Sequence, residues 1–222
     1  MNKEKLKIII TIVILALIAG ALYMFSTQKK VQVEESAETT IEQNTESDQD
    51  EPSISAQKPI VKNEAQVLFD NKMKEASGYF LKKDYKLAVT AYNQAINIIN
   101  SEYAYAGLYS TNLALKDYTN AEKAILSAIE LNSGSSDYWS WYLVLLQDAM
   151  KAPRTKLDAV YNDALNKVLE NKKINIVTAY ARILENIGDK TGAIAQWQKA
   201  ITLNPGMQSV YQAEIDALKA GN

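Results

Sequence analysis

The chain has 222 residues, 24 basic and 26 acidic, for a formal net charge of −2, and contains neither histidine nor cysteine. The commonest general base, a thiol nucleophile, disulfides and cysteine-ligated metals are therefore excluded. Lysines scattered among carboxylates also argue against a nucleic-acid binder, which would gather Lys and Arg on one face.

The first element in chain order is residues 8–25, IIITIVILALIAGALYMF, 18 consecutive residues without a charge. As a helix they span about 27 Å, roughly the hydrocarbon core of a bilayer, and they read as a transmembrane helix. A cleaved secretory signal is the alternative, since Lys3, Lys5 and Lys7 form a basic start and Ala19-Gly20-Ala21 a small-residue cleavage site. Against it, the apolar run continues through Leu22, Tyr23, Met24 and Phe25, where the core of a signal should have ended. Three lysines precede the span and only Lys29 and Lys30 follow it closely, so the positive-inside rule predicts a cytoplasmic N-terminus, residues 1–7. The remainder is expected outside the plasma membrane, and the Lys-, Ile- and Asn-rich character reads as a bacterial envelope protein.

Residues 26–62 hold eight acidic residues, four lysines and two prolines but no aromatic residue. Such a segment cannot bury enough apolar area to offset the entropy of ordering, and is expected to be a disordered acidic linker. Its r.m.s. reach is roughly 35 Å. Residues 63–222 follow, with 17 acidic and 17 basic residues and the only self-similar pattern in the chain.

That pattern is clearest in DYKLAVTAYNQAI, from Asp84, echoed by DYTNAEKAILSAI, from Asp117. Small residues Ala95, Ala128, Ala164 and Ala200 lie 33, 36 and 36 residues apart. Seven residues before each come Ala88, Ala121, Leu157 and Ala193, and between them a bulky residue recurs as Tyr92, Ile125, Tyr161 and Trp197. Offsets of three and four place all three on one helical face. An earlier apolar helix precedes each, joined to it by KKD, LKD, KAP or IGD, so the unit is a helical hairpin. No single hairpin can bury its apolar face, whereas stacked hairpins bury a continuous one. Residues 207–220 carry Val210, Tyr211, Ile215 and Leu218 on one face and read as a capping helix.

The spacing, the small residues and the bulky one resemble the tetratricopeptide repeat, a helix-turn-helix unit of about 34 residues. GDKTGAIAQWQKAITLNPG, with its terminal Pro205, matches that pattern most fully. Repeat two has Asn112 where the family has Tyr, repeat three has Leu157 for a small residue and Pro153 in its turn, and repeat one has Lys72 and Glu75 where Trp and Leu would stand. The resemblance implies an all-α, right-handed superhelical stack of about four repeats, near 69–102, 102–135, 138–171 and 174–207, with the capping helix behind them. It also implies that one face of each first helix lines a concave groove. Carried over, that face comprises Asp70, Met73, Ser77 and Phe80; Tyr103, Ala106 and Ser110; Trp139, Tyr142 and Leu146; then Asn175, Thr178 and Arg182.

The oily helix YWSWYLVLLQDAM is expected to put Trp141, Val144 and Leu145 in the core and Trp139, Tyr142 and Leu146 on the groove, where aromatic anchors favour protein partners. Packing of Trp139 and Tyr142 against a neighbouring helix is the competing reading. Carboxylate pairs such as Asp158 with Asp163, or Glu214 with Asp216, are ordinary for exposed helices, and Gly188 and Gly192 flank a helix-helix turn rather than a phosphate loop. The expectation is a non-enzymatic, membrane-anchored scaffold for a protein or peptide partner, with no cofactor, metal or nucleic acid. Alternatives are a chaperone-like holder of exported or unfolded clients and an accessory subunit of an envelope enzyme.

Overall fold

The structure, a computed structural model, describes residues 60–221, with side-chain surroundings from Glu64 onward; all of them fall in one compact unit, Gln57–Asn222. The expected membrane span at 8–25 and the linker up to residue 59 lie outside the described residues. Ile60–Lys62, assigned above to the linker, are already helical. Among the described residues there is no strand, and no helix is long and apolar enough to cross a membrane.

Nine α-helices are described: α1 (Ile60–Leu81), α2 (Tyr85–Ile98), α3 (Glu102–Leu115), α4 (Tyr118–Leu131), α5 (Ser136–Val144), α6 (Arg154–Lys167), α7 (Ile174–Asn186), α8 (Lys190–Leu203) and α9 (Gln208–Ala220). Consecutive pairs form four hairpins, α2 packs on α3, α5 on α7, and α8 on α9. The all-α hairpin stack with a final capping helix is the architecture expected from the repeat.

Each hairpin turns on one residue in the left-handed region: Lys83 (φ 66°), Lys116 (61°), Lys151 (53°) and Gly188 (85°). That conformation aims the next amide back at the helix just left, so Asp84, Asp117 and Asp189 donate to the carbonyls of Tyr79, Asn112 and Leu184 at 2.8–2.9 Å. The same aspartates then cap the second helices. Asp117 accepts from the amide of Asn120 at 3.2 Å and Asp189 from that of Gly192 at 2.8 Å, whereas Asp84 makes no side-chain cap bond. The recurring acidic residue in the turns is thus a helix start signal.

The third hairpin is built differently. From the start of α3 to that of α4, Glu102 to Tyr118, is 16 residues, as is Ile174 to Lys190, but Ser136 to Arg154 is 18. The extra length lies in a π-helical turn, Leu145–Ala149, and in the connector Lys151-Ala152-Pro153. The amide of Met150 reaches the carbonyl of Leu145 at 3.1 Å, and that of Ala152 reaches Leu146 at 2.9 Å. A π-turn takes in an extra residue without breaking the helix. Pro153 stands where the other hairpins have aspartate and offers no side-chain acceptor. Arg154 at the start of α6 partly compensates, reaching Asp158 one turn on at 2.8 Å and Asp189 of the next hairpin at 2.6 Å.

Between hairpins, the small residues are fully buried: Ala88, Ala95, Ala121, Ala128, Ala164, Ala193 and Ala200 are all at 0% exposure. In three of the four hairpins the bulky residue between each pair meets the following first helix or the capping helix, and Ile125 is fully buried. A β-carbon on Gly107 of α3 would lie 2.3 Å from the ring of Tyr92, so only glycine admits the tyrosine there. Tyr161 stacks on Tyr180 of α7 at 4.2 Å, and Trp197 on Tyr211 of α9 at 5.6 Å. The main core runs unbroken from Tyr109 to Ile215. The first hairpin is held instead by two small clusters, around Ala88 and Tyr92 and around Phe69 and Ala95, with Met73 touching both.

Two predictions follow from this packing. Ala200→Leu overfills a closed contact and is expected to cost about 1–3 kcal/mol, whereas Ala217→Leu on the exposed side of α9 should cost far less; urea unfolding of both variants measures the difference. Arg154 first, then the Gly192 amide, holds the Asp189 carboxyl below the usual carboxylate range. A lowered folded pKa contributes stability above the unfolded value, near pH 4, that is lost as pH falls through the folded value. Asp189→Asn, which keeps an acceptor but loses the charge, should cost on the order of 0.5 kcal/mol at neutral pH for this partly exposed pair. The gap from wild type should close in acid, as unfolding at several pH values would record.

Candidate functional site

The face that the first helices leave unpacked can be placed from the helix starts. Asn175, Thr178 and Arg182 are residues 2, 5 and 9 of α7; the same positions are Tyr103, Ala106 and Ser110 of α3 and Asp137, Ser140 and Val144 of α5. The Asn175 amide nitrogen donates to Asp137 at 3.0 Å, which ties α7 to α5 at this face. Ser140, Thr178 and Arg182 share with Val210, Tyr211 and Glu214 of α9 an open recess of about 470 Å3, floored by Trp197. Successive first helices therefore form one continuous surface at the C-terminal end of the stack.

This corrects the expected groove at α5. Trp139 is 5% exposed, Tyr142 5% and Leu146 0%, so all three belong to the core, while Val144, expected inside, is 41% exposed. Trp141 is partly buried and Leu145 buried, as expected. Trp139, Tyr142, Leu143 and Leu146 follow the i, i+3, i+4, i+7 spacing of an inward stripe. Their polar atoms are spoken for: Trp139 Nε1 donates to the Ser133 carbonyl at 2.8 Å, and the Tyr142 hydroxyl donates to Glu122 at 2.9 Å. Burial, followed by the Glu122 carboxylate, raises the Tyr142 phenol well above its ordinary range. Burial pushes Glu122 up as well, but hydrogen bonds from Lys156 and Tyr142 outweigh it and hold the carboxyl below normal.

The other expected residues fall as follows. Tyr103 is exposed and Asn175 and Arg182 lie on the recess side. Met73 and Phe80 are half-buried in the first hairpin's clusters, with the Phe80 ring 5.5 Å from Tyr85. Ser77 is exposed and donates to the Lys74 carbonyl, and Asp70 is exposed and accepts from Gln66. Residues first identified here are Asp137, Ser140 and Val144 of α5 and Val210, Tyr211 and Glu214 of α9. Asp137 and Ser140, three apart and polar within an oily helix, are the sequence signal for the outward face.

Electrostatically the recess is closed on itself. Arg182 pairs with Glu214 at 3.0 Å and Glu185 at 3.3 Å and stacks 4.8 Å over Trp197, whose Nε1 donates to Glu185 at 2.6 Å. Burial lowers the arginine, but its carboxylate partners more than reverse this, so it stays charged. The hydroxyls of Ser110, Ser140 and Thr178 donate to carbonyls of their own helices. Their oxygens remain available as acceptors, so the surface offers hydrogen bonds, apolar contact and one pinned guanidinium. It offers no activated nucleophile, and no group of three or more acidic residues among the described residues could hold a metal.

No protein-family model and no curated protein matches the chain. Among solved structures, PilF of Pseudomonas aeruginosa superposes with a TM-score of 0.54 at 15% identity, over 70% of this chain and 69% of its own. MamA superposes with a TM-score of 0.52 at 18% identity, over 68% of this chain and 85% of its own. Both are tetratricopeptide-repeat proteins, and likeness at this level of identity is one of fold.

The reassigned register has a direct test. Trp139→Ala or Tyr142→Ala is expected to cost roughly 3–5 kcal/mol by emptying a filled core. Val144→Ala should change stability by no more than about 0.5 kcal/mol, as surface substitutions do. Denaturant unfolding of the three variants ranks them, and equal losses would return Val144 to the core.

Proposed function

We propose that the hairpin stack is a protein-interaction scaffold that receives a segment of a partner protein along the face formed by α3, α5, α7 and α9. The observation that carries this reading is the recess of about 470 Å3 bounded by Ser140, Thr178 and Arg182 with residues of α9. Contiguous exposed side chains from several hairpins, Tyr103 and Val144 among them, extend it. A rigid stack with a preformed face binds without the cost of ordering itself. The tetratricopeptide fold supports the same reading by analogy.

The reading further places the stack outside a plasma membrane, held by a single span at residues 8–25 and the 26–62 tether, with the N-terminus in the cytoplasm. The uncharged 18-residue run and the lysines before it support that placement. A tether of that length lets the stack reach a partner roughly 35 Å from its anchor.

The test is site-specific photocrosslinking of the full chain in its host cells, with the probe replacing Tyr103, Val144 or Thr178, and Asn162 of α6 as the outward control. The expected outcome is one protein crosslinked at all three groove sites and not at Asn162. A broad set of unrelated clients would favour the chaperone-like holder, and crosslinks no stronger than the control would overturn the groove. Arg182→Ala should then weaken capture of the identified partner about tenfold or more, as loss of a charged interface contact does.

A further inference from the structure

We propose that the edge of the stack formed by the hairpin tips is a lipid-facing surface that lies against anionic headgroups of a bilayer. The left-handed position of a hairpin tip suits glycine, because a β-carbon crowds the following carbonyl. In this chain the fourth tip has Gly188, but the first three have lysine: Lys83, Lys116 and Lys151. A cation at a helix C-terminus complements the helix dipole. That explains a nearby charge, but a lysine one residue earlier would serve as well without the unfavourable backbone. Strained positions retained in three successive units point to a requirement outside the fold.

Little of this charge is spent within the stack. Lys82, Lys83, Lys86, Lys116 and Lys151 are exposed, and none forms an ion pair with a carboxylate, although five lysines and arginines elsewhere among the described residues do. Of the acidic residues on this edge, Asp117 is turned into its own helix, accepting from Asn120 twice; Asp84, at the matching position of α2, makes no side-chain cap bond; and the Asp148 carboxyl, pushed up by burial, is partly drawn back by Lys151.

Large apolar side chains stand beside these cations. Leu81 is 64% exposed immediately before Lys82, Leu115 is exposed immediately before Lys116, and Leu87 is exposed next to Lys86. Because the first helices end at these tips, the leucine-lysine pair of the first hairpin recurs in the second, about one helix-packing distance of 8–10 Å away for each helix crossed, and the third tip adds Lys151. The opposite edge also exposes apolar residues, Leu131 and Leu169, but its charges are mixed, with Glu102, Glu130 and Glu170 among Lys167, Lys172 and Lys173. Alternating lysines and exposed leucines on one edge is the chemistry of a membrane interface. The cations meet anionic headgroups, and the leucines enter the boundary below them. An acidic protein would satisfy the lysines and leave the leucines in water.

The inference is independent of the groove, and it does not need residues 8–25 to span the bilayer, because the test compares two sites on one chain. The chain has no cysteine, so Leu115→Cys at the edge and Ala159→Cys, exposed on α6, each give a single attachment point for an environment-sensitive fluorophore. The full-length labelled proteins are mixed with phosphatidylcholine vesicles, with or without phosphatidylglycerol, that carry a quencher near the headgroups. The expected result is quenching at position 115 several-fold above that at 159, only with phosphatidylglycerol and lost at high salt. Each of Lys83→Gln, Lys116→Gln and Lys151→Gln should weaken the edge contact about fivefold, with thermal unfolding unchanged. Equal quenching at the two positions, quenching that persists without phosphatidylglycerol, or an undiminished signal in the triple variant would overturn the proposal. So would protection of position 115 by polyglutamate but not by vesicles, which would assign the edge to an acidic protein.

Discussion

The contact on which the stack depends is the one between a bulky side chain of a second helix and the helix that follows in the next unit. Two buried residues seven apart, both alanine in three hairpins and Leu157 with Ala164 in the third, bring the helices close enough for the residue between them to cross the gap. Tyr92 lies on Gly107, Tyr161 on Tyr180 and Trp197 on Tyr211. In the hairpins with two alanines a longer side chain at either would hold the helices apart, and a shorter one at the bulky position would leave a void. The alanines and the bulky residue are therefore a single device. Its repetition turns hairpins that cannot bury their own faces into a core running from Tyr109 to Ile215.

Once that device consumes two faces of each first helix, the remaining face is left to solvent, and its composition is set by what the core does not need. On α7 that remainder is Asn175, Thr178 and Arg182, polar and already hydrogen-bonded. On α5 the division is less visible, because Trp141, partly buried, and Val144, exposed, make even the outward side partly apolar. Trp141 is held by Tyr109, whose ring stacks parallel to it at 6.0 Å and whose hydroxyl donates to its carbonyl at 3.1 Å. The oiliness of α5 thus serves two neighbouring helices at once and is only partly a binding surface.

The hairpins, their order, the capping helix and the small-bulky-small contacts were legible in the sequence because each has a local cause: a period, an aspartate cap, a left-handed tip. The outward positions of α3 and α7 were legible for the same reason, since their hairpins keep the 16-residue spacing. The groove of α5 was not. Counting back from Ala164 crosses the π-turn and the longer connector, and the two residues gained there move the inferred face from Asp137, Ser140 and Val144 onto Trp139, Tyr142 and Leu146. A helix apolar nearly all round gives no strong period to reveal the slip, so only the polar pair Asp137 and Ser140 marked the true face. At α1 the boundary with the linker was placed three residues late, because Ile60-Val61-Lys62 continues the linker's run directly after Pro59 with no Ser, Thr, Asp or Asn immediately before it. A proline is well tolerated immediately before or at the start of a helix, so it did not mark the beginning sharply.

Charge follows the same division of labour. Ion pairs that join units, Arg154 with Asp189, Lys156 with Glu122 and Arg182 with Glu214, lie between adjacent hairpins or between the last hairpin and the cap. All three fall within the second to fourth hairpins and α9, the part that shares the continuous core. Among the described residues the first hairpin has neither such a cross-link nor a share in that core; the ion pair of Lys72 with Glu75 is internal to α1. In a stack whose stability is a sum of unit and neighbour terms, the first hairpin is therefore coupled to α3 by apolar packing, whereas the later joins add charge to packing.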